Sequence, residues 1–365
     1  MTTGLRAALA AVGLRGRPRV LAFVDLVQDI DVMLPLLVRL NRADFCTLDV
    51  RVSRWLAAES PRTEVLLGAH GVAFRYVRRS DVIAGRAPAL RCVAAVIAAS
   101  ESSHPAHAAG HALALRARSA GIMTYALQHG LENVGLLGLE AADAEFASET
   151  VFCWFPPGAT PRGLADRTVA SLAHVGRCEP IGGWRRGGSK AFDLGVFENL
   201  HWGRYDDADR ARFLETLAAA ARALPRARIL LRPHPAGGWA DRVSHELAQI
   251  PNITPARAID ARRDPASGPD LLQGVHRVIT TPSTIALDAA LAGIPVAMAV
   301  PGGSVYEPLP VLRTAEDWVA FAGGGMDDPA ALDQFRSRVL VDGDAAPRIA
   351  QRLRGDLAEH LGRNG

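Results

Sequence analysis

Short apolar runs alternate with amphipathic helical segments along nearly the whole of this 365-residue chain, and that alternation constrains the fold most. It predicts strands over residues 20–24, 45–52, 73–77, 93–99 and 123–127, with helices over 32–40, 55–69 and 106–119. Strands separated by helices pair in parallel, because each helix supplies the crossover and covers a face of the sheet. A Gly- and Pro-rich stretch, Pro180-Ile181-Gly182-Gly183-Trp184-Arg185-Arg186-Gly187-Gly188, interrupts the pattern. It then restarts, with strands over 194–197, 228–231, 277–280 and 295–300 and helices over 206–224, 242–248 and 285–292. So long a chain exceeds one ordinary core. The expectation is therefore α/β: two doubly wound, Rossmann-like sheets facing a cleft. Residues 1–180 form one domain and 181–345 the second, while 346–365 form a C-terminal helix packed back on the body.

Composition narrows the function classes. Apolar residues make up 49% and charged residues 22%, the balance of a soluble globular protein. The formal charge of +3 permits loose attraction to anionic lipid or phosphorylated substrates and gives no argument for nucleic acid. Lys190 is the only lysine, in a Gly-Gly-Ser-Lys loop, so lysine chemistry has little footing. Cys46, Cys92, Cys153 and Cys178 show no paired spacing and read as small residues in a reducing compartment, without a zinc site. The most apolar stretch, 285–300, is broken by Asp288, Gly293 and Pro295 and falls short of the roughly 20 residues a span needs. Residues 7–14 are followed at once by Arg15, Arg17 and Arg19, which favours a short helix over a signal segment. The expected location is cytoplasmic, with peripheral contact at the inner membrane face left open.

Three motifs stand where a strand run breaks into a turn, the edge at which open α/β sheets bind ligands. The first is Gln128-His129-Gly130, the second Arg232-Pro233-His234-Pro235, the third Thr281-Pro282-Ser283-Thr284 running on to Asp288. Pro282 and a capping Ser283 or Thr284 would open a helix whose N-terminus favours phosphate. Asp288, one turn in, is spaced to accept ribose hydroxyls. Arg232 and His234 alternate along an extended segment fixed by two prolines, so both can meet one phosphate. His129 can take a proton from an acceptor hydroxyl near neutral pH. Glu132 is a rival base or the group that orients it. After the strand at 194–197, Asn199 and the backbone amides near Gly203 could touch phosphate and Trp202 could stack on a base or sugar, while Tyr306 is a candidate wall of the nucleotide site. Asp207-Ala208-Asp209 imitates a metal-binding pair but opens a long helix, where a cap role fits better. His104, His107 and His111 fall at helical spacing without the intervening Glu of a metalloprotease motif.

The block Asp288-Ala-Ala-Leu-Ala-Gly-Ile-Pro-Val296 resembles the donor-binding block of GT-B glycosyltransferases, with Asp where Glu is usual. With Arg232-x-His234-Pro, Ser283-Thr284 and Gln128-His129-Gly130, it is similar to the branch using cytidine-activated donors: CDP-glycerol glycerophosphotransferase-like enzymes, bacterial sialyltransferases and capsule Kdo transferases. Where glycerophosphotransferase-like members carry Asp-x-Ser-Ser, this chain reads Thr280-Thr281-Pro282-Ser283-Thr284, and it lacks their lysine-rich surface. The resemblance implies a GT-B fold and metal-independent inverting transfer, without a cofactor. A sugar or polyol phosphate would move from a CMP- or CDP-linked donor to a glycan or lipid-linked acceptor. It implies that His234 stabilises or protonates the departing phosphate, and it adds Asp25, Asp29 and Asp31 as further candidates for the base. Two other readings stay open. A nucleotide-sugar 2-epimerase on this fold needs acidic residues grouped near the sugar, which the sequence does not group. The second is a non-catalytic glycan-binding scaffold. The oligomeric state is not fixed by sequence.

Overall fold

The computed structural model describes residues 17–137, 144–184, 190–201, 203, 205–234, 247, 249–256 and 268–363. The predicted helix at 242–248 lies almost wholly outside these, as do Trp202, Pro235 and residues 185–188 of the Gly/Pro stretch.

The alternation resolves into two all-parallel sheets. The first contains β1 (Arg19–Val24), β2 (Thr47–Ser53), β3 (Phe74–Val77), β4 (Val93–Ala98), β5 (Met123–Leu127), β6 (Thr150–Cys153) and β7 (Leu172–His174), ordered β3-β2-β1-β4-β5-β6-β7. The second contains β8 (Phe192–Phe197), β9 (Ile229–Arg232), β10 (Ile253–Pro255), β11 (Val275–Thr280) and β12 (Val296–Met298), ordered β10-β9-β8-β11-β12. Each runs outward from its first strand, reverses and runs the other way. The reversal creates a crevice beyond the carboxyl ends of β1 and β4, and again beyond β8 and β11. Strands β6, β7 and β10, three or four residues each, were not anticipated.

Helices follow the periodicity with instructive exceptions. Residues 55–69 divide into α1 (Arg54–Glu59) and α2 (Arg62–Ala69), because Pro61 between them has no amide hydrogen to continue the first helix. After β3 comes α3 (Arg79–Ile83). In α4 (Asp207–Ala223), Asp206 accepts the amide of Asp209 at 2.8 Å and Asp209 accepts that of Asp206 at 3.4 Å. Asp209 of the Asp-x-Asp sequence is thus spent on a capping box with Asp206, and Asp207 pairs with Arg210. The C-terminal helix α5 (Ala345–Arg363) returns to the first sheet, where Tyr125 donates its hydroxyl to Asp356 at 2.8 Å.

The two sheets are joined by apolar packing. One buried cluster runs from β1 and β2 through Leu131, Trp154 and Cys178 into Ile285, Ala286 and Ala289 of α6 (Ile285–Leu291).

Candidate functional site

In the second sheet the motifs converge on neighbouring strand ends. Arg232 closes β9 and His234 follows it; Thr281 to Thr284 follow β11; β8 lies between. Strands 4.8 Å apart put the two outer motifs about 10 Å from one another. Glu198 and Asn199, buried just after β8, tie them together. The Glu198 carboxylate accepts the His234 amide at 3.4 Å, and also that of Leu200. Asn199 donates its backbone amide to the Thr281 hydroxyl at 2.6 Å and its side-chain amide to the Pro282 carbonyl at 2.8 Å. Its Oδ1 is buried without a hydrogen-bond partner.

The His234 ring stacks on His201, centroids 4.2 Å apart. Burial, then His201, then Arg232 push its pKa down to about 3. Without a ligand at neutral pH it is therefore an uncharged hydrogen-bond donor, and Arg232 supplies the positive charge. An arriving phosphate would raise the His234 pKa by Coulomb attraction. His201 escaped the sequence reading; its place in the same loop as Asn199 was the available signal.

Three expectations are corrected here. Thr284 stands at the N-cap of α6 but its hydroxyl does not cap it; Oγ1 accepts the Leu131 amide at 2.9 Å, across from the first sheet. Ser283 Oγ is 3.4 Å from the Ile285 amide. Asp288 is buried and ion-paired with Arg177, a residue beyond β7 whose guanidinium also lies near the Trp154 and Trp184 rings. The carboxylate expected on ribose is thus engaged inside the protein, because the β7 segment carries a cation to it. Tyr306 is buried, its ring filling the space over Gly302, and offers no wall to a ligand.

In the first sheet, Gln128 is fully buried and braces the turn after β5: Oε1 accepts the Trp154 amide at 2.8 Å and Nε2 donates to Gly130 at 2.9 Å. Gly130 is needed for closeness rather than for an unusual backbone angle. A Cβ there would stand 3.2 Å from the Glu132 carbonyl and 3.4 Å from Thr284 Oγ1. The Gln-His-Gly turn and the Ser-Thr turn, read separately from the sequence, therefore touch.

His129 is half-buried, its amide held by Asn133 at 2.9 Å. Nδ1 lies 3.4 Å from the Ala99 carbonyl, and His107 packs edge-on at 5.1 Å. A carbonyl only accepts, so Nδ1 carries the hydrogen and Nε2 the lone pair. Burial lowers the His129 pKa to about 4. Ala99 and His107 are the groups set against the ring; Glu132 sits half-buried in the following turn.

Beyond β1 and β4 the structure groups residues that the sequence scattered. Asp25, at the end of β1, is buried; Oδ1 takes Arg79 at 2.7 Å and Oδ2 has no hydrogen-bond partner. Asp29 accepts the Asp25 and Leu26 amides at 2.9 Å, together with the Ser100 hydroxyl, and burial lifts its pKa to about 6. Asp31 pairs with Arg62. Beyond β4, Glu101 binds His111 at 2.7 Å and the amides of Ala147 and Ser148 at 3.0 Å. Ser102 meets His107 Nδ1 at 2.6 Å. His107 and His111 thus serve different partners and do not converge as a metal set. The run Ser100-Glu101-Ser102 directly after a strand was the missed signal.

No family model and no curated protein matches the chain. Solved structures do. A putative UDP-N-acetylglucosamine 2-epimerase from Listeria monocytogenes aligns with TM-score 0.69 at 12% identity, covering 94% of this chain and 97% of that one. UDP-GlcNAc 2-epimerase from Neisseria meningitidis, bound to UDP-GlcNAc, aligns at 0.65 and 11% identity, covering 92% and 99%. A spinosyn rhamnosyltransferase aligns at 0.56 and 12% identity, covering 92% and 99%. At such identities the likeness is one of fold, and the fold is GT-B: two Rossmann-like domains with their strand ends facing each other.

Proposed function

We propose that the chain is a nucleotide-sugar enzyme that transfers a sugar, or a polyol phosphate, from a nucleotide-activated donor to a glycan or lipid-linked acceptor. The observation that carries this reading is the contact between Leu131 and Thr284 Oγ1, which sets the His129 turn against the Thr281–Thr284 turn. A proton acceptor and a phosphate grip then border one crevice. In this mechanism the nucleotide's phosphates bind at Arg232, His234 and the Ser283 turn. His129 Nε2 takes the acceptor's hydroxyl proton. For a sugar, the acceptor oxygen attacks the sugar carbon opposite the phosphate, the bond from that carbon to the phosphate oxygen breaks, and the phosphate leaves with the electron pair; for a polyol phosphate, the acceptor oxygen attacks the outer phosphorus and the nucleoside monophosphate leaves with the bridging oxygen and its electron pair. The result is inversion. Asp25, with one unpartnered carboxylate oxygen, is the alternative base. The sequence resemblance of Arg232-x-His234-Pro and Ser283-Thr284 supports a cytidine-linked donor.

A 2-epimerase-like reaction is the second reading, favoured by the carboxylates grouped in the first sheet, Asp25, Asp29 and Glu101. Incubation with CMP-, CDP- and UDP-linked sugars, with and without acceptor, separates the two. Transfer predicts nucleotide release that depends on acceptor; epimerisation predicts an isomerised sugar still attached to its nucleotide. Absence of both would sink the enzymatic reading.

A further inference from the structure

We propose that Glu101 is a positioning residue: it anchors the loop after β4 so that the Ala99 carbonyl holds His129 in the tautomer a base requires. Residues 99–102 of that loop make the contacts that matter. The Ala99 carbonyl takes His129 Nδ1 at 3.4 Å, the Ser100 hydroxyl meets Asp29, and Ser102 meets His107, which packs edge-on against His129. Each contact is only as fixed as the loop that carries it, and loops are ordinarily the mobile part of a site.

Glu101 supplies the fixing. Its side chain is fully buried. Oε1 accepts His111 Nδ1 at 2.7 Å and the Ala147 amide at 3.0 Å, and Oε2 accepts the Ser148 amide at 3.0 Å. One carboxylate thus ties the end of β4 to the helix Ala108–Ser119 and to the segment entering β6. Backbone contacts complete the clamp. The Glu101 amide donates to the same Ala99 carbonyl at 3.1 Å, the Ser103 amide donates to the Glu145 carbonyl at 2.8 Å, and the Glu145 amide donates to the Ser103 hydroxyl at 3.0 Å. Gly110 brings the helix so close that a Cβ there would stand 2.3 Å from the Ser100 carbonyl oxygen. A carbonyl has two lone pairs, so Ala99 serves Glu101 and His129 together.

This placement argues against a direct role in chemistry. A buried carboxylate with both oxygens engaged has no face for a sugar, so of the acids that favour a 2-epimerase-like reaction Asp25 and Asp29 remain. Glu101 acts through His129 instead. Free imidazole prefers its hydrogen on Nε2; a carbonyl at Nδ1 reverses that preference and leaves the Nε2 lone pair for a proton. The consequence for turnover rests on the reading of His129 as the base; the hold on the tautomer does not.

Imidazole NMR of the full chain labelled with the heavy nitrogen isotope, near neutral pH and without nucleotide, reads the tautomer directly. The His129 signal is assigned by its loss in His129→Ala. The parent should show the Nδ1–H form. Glu101→Gln, whose amide nitrogen must face an N–H donor, and His111→Leu, which removes one donor, should each shift His129 toward Nε2–H. His111→Asn, which keeps a donor where Nδ1 stood, should restore the parent form. Glu101→Gln should also lower kcat by up to about 100-fold, the cost of misplacing a reacting group by about 1 Å, with nucleotide affinity unchanged. A parent in the Nε2–H form, or a tautomer unmoved in the folded variants, would overturn the proposal. If Glu101→Gln does not fold, the His111 variants decide. Loss of all turnover in Glu101→Gln with the tautomer unmoved would make Glu101 a reacting group instead. A parent that transfers nothing, yet shows the tautomer shift, counts against the transferase reading alone.

Discussion

The two sheets share a winding and differ in what they set at their carboxyl edges. Beyond β1, β4 and β5 stand carboxylates and imidazoles that are buried and mostly held by amides and hydroxyls. Beyond β8, β9 and β11 stand an arginine, two stacked imidazoles, hydroxyls and an amide, with one buried carboxylate, Glu198, occupied by backbone amides. The first collection suits moving a proton; the second suits holding phosphate oxygens. One topology presents the same crevice twice, and the loop residues alone decide its chemistry.

Substitutions on opposite edges should therefore fail differently, and this is the sharpest way to break the comparison. His129→Ala should lower turnover about 100- to 10,000-fold, the usual contribution of a general base, with little change in nucleotide affinity. His234→Ala should lower turnover about 100-fold or more with the melting temperature intact; near-normal activity would remove it from the mechanism. Steady-state kinetics beside nucleotide titration would separate the two edges. Loss of affinity in His129→Ala would contradict the division.

Next in size is the tie between the halves. Breaking a buried ion pair by removing one partner costs about 3–5 kcal/mol. Asp288→Ala, which strands Arg177, should therefore cause a clear drop in melting temperature, and Arg177→Met with Asp288→Leu should recover much of it. If Asp288→Ala instead lowers nucleotide affinity at unchanged stability, the ribose role expected from sequence would regain its place.

Acidity tests the two edges together. His107, His129 and His234 titrate near 3 to 4 when folded, against 6.5 when unfolded. Between those values the unfolded chain binds more protons. Their contribution to stability is full above about pH 6.5 and is lost as pH falls toward 4. Asp29 acts oppositely: its folded carboxyl titrates near 6 against 3.8 unfolded, so its contribution is present below 3.8 and lost as pH rises through 6. Three imidazoles against one carboxyl predict net weakening on acidification. Urea midpoints from about pH 7 down to about pH 5 would show it, and a rising midpoint would refute it. Smallest of all, Gly130→Ala should cost about 1 kcal/mol, since its neighbours need give only a few tenths of an ångström.

The fold was readable because strand and helix periods are local, and because Gly and Pro mark the turns that carry the motifs. The motifs at the edge of the second sheet were readable for the same reason: Arg232 and His234 are two residues apart, and the residues from Thr281 to Thr284 are contiguous. What stayed hidden depends on partners distant in sequence. Asp288 looked free because Arg177 stands 111 residues away. The first-sheet acids looked scattered because Asp29 meets Ser100, and Ala99 meets His129, only when β1, β4 and β5 lie side by side. Pro61 was legible as a break between α1 and α2 and was passed over within an otherwise helical pattern. Tyr306 shows the opposite error, since an aromatic beside prolines suggested a surface wall where Gly302 makes room for a buried ring.

Calorimetric titration of CDP and UDP into the intact protein and into Arg232→Ala addresses the central claim most directly. The account predicts saturable binding to the intact protein, tighter for CDP, and a loss of roughly 10- to 100-fold in the variant, the weight of one charge-assisted contact. Equal affinity in both proteins, or no binding to either, would contradict it.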